Sequence, residues 1–224
     1  MTAFFYLSIM KIILTVCSLL LVASAAAQTD VTLFDRHIDA QGAHIVEEFV
    51  SLLKIPNVAY DLPNINKNAQ YIMGEVTDRG VSTQLLEHPD TPPIVYGYLA
   101  SKKATRTLAF YIHYDGQPVD KTRWKHDPWT PKMYDKSLAE GGVEIPFPKE
   151  GEKIDPVSRI YARSAGDDKG PIIGILAAID AMQAAGVEPT SNFVFFFEGQ
   201  EEAGSEHLRS YLEDHSELLK DIDL

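Results

Sequence analysis

Cysteine is almost missing from this chain. The only one, Cys17, sits in the apolar N-terminal stretch, so the remainder can form no disulfide and offers no thiolate to a metal. Any metal would have to be held by His, Asp and Glu. Clusters of Lys or Arg are missing too: 20 basic residues face 32 acidic ones, for a formal net charge of −12. That balance leaves no electrostatic footprint for nucleic acid, which is not expected as a partner. Long hydrophobic runs are also lacking, and the apolar stretch from Ile12 to Ala23 is too short to span a bilayer comfortably. No internal repeat or low-complexity tract stands out beyond it. What remains is ordinary globular material, 45% hydrophobic and 23% charged over 224 residues, enough for one well-buried domain.

The first segment reads as an export leader. Lys11 precedes the apolar run, and Ala25 and Ala27 fit a small-x-small cleavage site, giving a signal peptide over 1–27 and a domain over 28–224. Met10 is an alternative start. The expected location is secreted or periplasmic, with no stable membrane association after cleavage.

Beyond the leader, the pattern alternates helices with apolar strands. Helical spacing predicts a helix over 38–53 (Ile45, Phe49, Leu52, Leu53), closed by Pro56, and a second over 66–79. Strands are expected at 81–87 and 93–99 around a Pro-rich turn, then a buried strand at 107–114. Residues 117–158 read as an irregular loop holding both tryptophans, Trp124 and Trp129, as loop anchors. A helix over 171–185, a buried strand over 192–197 and a last helix over 206–219 complete an α/β sandwich around a mixed sheet.

Three acidic clusters punctuate this pattern, each ending or following an apolar strand, which would place them at one sheet edge. In His113-Tyr114-Asp115, period-two alternation puts His113 and Asp115 on one side, suiting a metal-ligating imidazole whose other nitrogen is steered by a carboxylate. Alone, such a pair is a weak signal. In Gly166-Asp167-Asp168-Lys169-Gly170, the carboxylates could cap the following helix, or one could bridge two cations. In Glu198-Gly199-Gln200-Glu201-Glu202, three acids follow Phe193–Phe197 directly, where α/β strand ends face a ligand crevice. The adjacent Glu201 and Glu202 can divide the work, one binding metal and one taking a proton from water. Oxygen and imidazole donors without thiolate suit hydrolytic Zn²⁺ or Mn²⁺ sites. The other six histidines (His37, His44, His88, His126, His207, His215) lie outside the clusters and read as surface or core residues.

The order and wording of these motifs resemble metallopeptidase family M20, which includes carnosine dipeptidases, aminoacylases and succinyl-diaminopimelate desuccinylases. The similarity covers roughly residues 38–224 and is nearest the dipeptidase branch in Asp-Asp-Lys-Gly-Pro and Glu-Gly-x-Glu-Glu. The resemblance implies a three-layer α/β catalytic domain with a mixed central sheet and two divalent metal ions, Zn first, with Mn or Co as alternatives. It implies that His113, Asp167 and Glu202 are metal ligands, with Asp167 bridging and often followed by a cis peptide. Asp115 would orient His113 and Glu201 would be the general base. Asp168 and Lys169 would take supporting roles, and Glu198 an outer or structural one.

The chain departs from the family pattern twice. The stretch between His113 and Asp167 carries extra residues around 133–155, and the chain stops at Leu224, before a further carboxylate ligand, a final His and the family's lid and dimerisation domain. The chain is thus expected to be an N-terminal, incomplete part of the catalytic domain, binding metal weakly and turning over no dipeptide by itself. The whole protein is expected to cleave dipeptides, with N-acyl amino acid deacylation as the alternative and a non-catalytic metal-binding remnant as a third reading. The full-length protein is expected to form a homodimer.

Overall fold

The computed structural model describes residues 31–224, so the expected leader over 1–27 lies outside the described residues. Helix α1 (Thr32–Leu53) begins earlier than its apolar spacing suggests. Helix α2 (Leu62–Asp78) also begins early, because the Asp61 carboxylate accepts the Asn64 N–H and a proline occupies the first turn, where its missing N–H costs nothing. Then come strands β1 (Ser82–Leu86), β2 (Ile94–Leu99) and β3 (Thr107–His113). The region expected to be irregular contains β4 (Lys132–Tyr134) and β5 (Glu144–Ile145), and β6 (Arg159–Tyr161) follows it. Helix α3 (Lys169–Ala184), β7 (Asn192–Glu198) and helix α4 (Leu208–Asp214) complete the order.

The main sheet has the order β1-β2-β7-β3, antiparallel except for the parallel pair β3–β7 joined through α3. It is therefore the mixed sheet expected. Alternation along β7 builds two cores. Phe195 and Phe197 face α1, α2 and α3, packing with Leu52, Ile72, Ile172 and Leu176. Val194 and Phe196 face the other way, onto Tyr211 and Leu208 of α4. A strand buried on both faces has to be a continuous apolar run, which Phe193–Phe197 is. Each of those buried phenylalanines contributes about 1.5–3 kcal/mol.

Three expectations need correction. Among the described residues, strand β3 lies at an edge rather than being a buried strand: Phe110 and Tyr111 are 37% and 48% exposed, and β7 is its only strand partner there. The last helix is split at His215, which caps α4 before a separate 3₁₀ turn over Ser216–Leu219. The region over 117–158 is not wholly irregular, since β4 pairs with β5 and with β6 just beyond it in a second, antiparallel sheet. At the open side of β3, Asp223 donates its N–H to Thr107 O (2.9 Å) and Leu224 O accepts the Ala109 N–H (2.6 Å). Among the described residues, no helix is long and apolar enough to cross a membrane.

Candidate active site

Parallel strands finish together, and β3 and β7 end with His113 opposite Glu198 in register. Beyond that rim, Asp115 is fully buried and its two oxygens accept the backbone N–H groups of Glu201 (3.1 Å) and Glu202 (3.0 Å). One carboxylate thereby ties the first cluster to the third. The turn carrying Glu201 and Glu202 packs tightly: a Cβ at Gly199 would stand 2.5 Å from the Tyr114 ring.

His113 lies between carboxylates. On one side Asp115 Oδ1 stands 3.4 Å from Nδ1, in ion-pair range but outside hydrogen-bond alignment, so Nδ1 is buried without a hydrogen-bond partner. On the other side Nε2 meets Asp167 Oδ1 at 2.9 Å and Glu201 Oε2 at 3.6 Å. Burial alone would lower the imidazole pKa, but Asp115, Asp167 and Glu201 outweigh it and raise it to about 9. Burial raises the Glu198 carboxyl above its ordinary range, and Tyr111, which donates its hydroxyl to Glu198, partly offsets this. Burial also raises Asp168.

The second cluster arrives by a different route from the one expected. It follows β6 of the small sheet and leads into α3, so no main-sheet strand carries it. Asp168 holds the N-cap position of α3 yet makes no side-chain cap bond. The Asp167–Asp168 peptide is cis.

Of the five singled-out residues, the fold gathers His113, Asp115, Asp167 and Glu201. Glu202 joins through its backbone, while its carboxylate accepts from Gln117 Nε2 at 2.7 Å. Among the described residues, no three His, Cys, Asp or Glu side chains already close around a common cation position. Nor does any Lys or Arg among them ion-pair with Asp115, Asp167, Glu198, Glu201 or Glu202.

Sequence reasoning missed Asn57 outright, and it expected Lys169 in a supporting role without saying what it would hold. Asn57 is buried, and Lys169, also fully buried, sends its ammonium to the carbonyls of Leu52 and Ile55, both at 2.9 Å, rather than to the acids beside it. Burial holds that ammonium well below its ordinary pKa. Trp129 does anchor the loop, donating Nε1–H to Asn57 Oδ1 at 3.3 Å. A cleft of about 740 Å³ lies elsewhere, between helices, and is lined in part by Arg79 and its ion-pair partners Glu48, Glu75 and Asp180.

The model for peptidase family M20/M25/M40 matches residues 109–223, just over half of the chain. The chain belongs to that family. Its relatives include the Cys-Gly metallodipeptidases of Schizosaccharomyces pombe (28% identical, 80% of this chain, 36% of the relative) and Candida albicans (32%, 77%, 35%). The M20 chain thus spans about a third of the length of the curated relatives it matches. Among solved structures, the dipeptidase Dug1p from Saccharomyces cerevisiae superposes with a TM-score of 0.68 over 87% of this chain and 40% of that one, at 23% identity. That likeness supports the M20 catalytic-domain fold.

Proposed function

We propose that the protein hydrolyses dipeptides with divalent metal ions held at this rim, and that Glu201 is its general base. The observation that carries this reading is His113, with Asp115 in ion-pair range of Nδ1 while Nε2 faces Asp167 and Glu201. The donors fit a metal on two counts. Nε2 of His113 and the carboxylate of Asp167 stand 2.9 Å apart, near the ~3.3 Å that two ligands at ~2.0–2.1 Å from one zinc would keep. A gathering of carboxylates that no Lys or Arg among the described residues neutralises also favours a bound cation.

His113, Asp167 and Glu202 would hold the ions, zinc first and manganese or cobalt as alternatives. When bound, they would supply Lewis acidity toward the attacking water and the scissile carbonyl. The chain's own residues do the rest. Asp115 fixes the imidazole and, through the two N–H groups it holds, the turn bearing Glu201. Glu201 Oε2 accepts a proton from the water and passes it to the leaving amine nitrogen. Gln117 keeps the Glu202 carboxylate oriented. The names of the relatives favour small dipeptides such as Cys-Gly as substrates. The leader read from the sequence would deliver the protein outside the cytoplasm.

Calorimetric titration of the chain with Zn²⁺ should show saturable binding that His113→Ala and Asp167→Ala abolish. In the protein as its natural gene encodes it, Glu201→Gln should cut Cys-Gly hydrolysis by about 10²–10⁴-fold while leaving Zn²⁺ bound. No saturable binding, or an active Glu201→Gln variant, would defeat the proposal.

A further inference from the structure

The donor set comes from segments that never pair as strands, so something has to set the distance between them. His113 ends β3 and Asp115 follows it by two residues, whereas Asp167 rides on the turn before α3, which the small sheet delivers. Their common neighbour is the segment following α1. Asn57 is fully buried, and its amide donates to Tyr114 O (2.8 Å) and to Ser164 Oγ (2.9 Å). Its own carbonyl accepts the Gly116 N–H (2.8 Å), and its Oδ1 accepts from Trp129. One side chain thus joins the residue between His113 and Asp115 to a residue three before Asp167. Lys169, two residues past Asp167, fastens the other side of the same turn to Leu52 O and Ile55 O, five and two residues before Asn57. The Lys169 N–H closes the turn onto Ser164 O at 3.0 Å.

We infer that Asn57 and Lys169 are positioning residues: together they fix the gap between His113 and Asp167 by pinning both to the end of α1. Neither touches the reacting atoms. Each acts through backbone or outer contacts, the kind of support whose removal costs about 10–100-fold in metal affinity. Burial explains why the pin is rigid. The amide of Asn57 and the ammonium of Lys169 have no access to water, so releasing either contact leaves an uncompensated polar group inside.

The inference rests on the metal-site reading, and its test separates the two. Asn57→Ala and Lys169→Met are compared with Ile179→Ala, a truncation in the buried face of α3 away from the rim. All three should lose stability. Only the first two should also lose about 10–100-fold in Zn²⁺ affinity, measured where each variant is fully folded. In parallel, ¹⁵N imidazole spectra of the metal-free protein report the contact of His113 with Asp167. These should change in Asn57→Ala and Lys169→Met and stay as in wild type in Ile179→Ala. Wild-type protein that binds no Zn²⁺ would remove the metal-site reading and leave the imidazole spectra to decide the positioning claim. Unchanged spectra, or Zn²⁺ affinity kept within twofold in both variants, would overturn it.

Discussion

Asp115→Asn is the sharpest probe of how this rim is built. The carboxylate is fully buried and accepts two backbone N–H groups from the turn that carries Glu201 and Glu202. The substitution keeps shape. One N–H retains an uncharged acceptor, and the other faces an amide NH₂, losing a charge-assisted bond worth about 1.5–3 kcal/mol. Weakening of the retained bond adds about 1 kcal/mol. Relief of repulsion toward Glu198, on the order of 1 kcal/mol in partly wet surroundings, is offset by the lost attraction to the His113 imidazolium. The net expectation is a loss of about 2.5–4 kcal/mol, measured by urea unfolding of metal-free protein at neutral pH. Asp167→Asn is the internal control. Its carboxylate is 79% exposed, so stability should move by under about 0.5 kcal/mol although cation binding is lost. Equal stability of the two variants would refute the view that Asp115 is a structural tie as well as an orienting group.

Three further outcomes are expected. Arg79 is buried and paired with Glu48, Glu75 and Asp180 at 2.7–3.0 Å, so Arg79→Met should cost about 3–5 kcal/mol in a denaturant melt without altering Zn²⁺ affinity in the folded fraction. Gly199→Ala forces a Cβ toward the Tyr114 ring and should cost about 1–3 kcal/mol, with weakened cation binding because the turn bearing Glu202 must shift; a neutral variant would contradict that packing. Zn²⁺ at about 100 times its dissociation constant should stabilise the fold by about 2.7 kcal/mol, read as a rise in Tm that EDTA reverses.

Read alone, the sequence was enough for the family, most of the elements and the candidate site residues. The run Phe193–Phe197 marks a strand buried on both faces, Ile172 to Met182 marks a core-facing helix, and His113, Asp115, Asp167, Glu201 and Glu202 are named by motif wording alone. These are local or periodic signals, and periodicity survives without knowledge of partners. Tertiary structure alone decided the rest. That β3 lies at an edge depends on which strands pair, a long-range matter invisible in its apolar residues. That Lys169 serves the carbonyls of α1 rather than its acidic neighbours, and that Asn57 bridges Tyr114 and Ser164, depends on contacts spanning 57 to 117 positions. Hydrogen bonds over such distances leave no spacing pattern in the chain, because only the packed backbone brings donor and acceptor together.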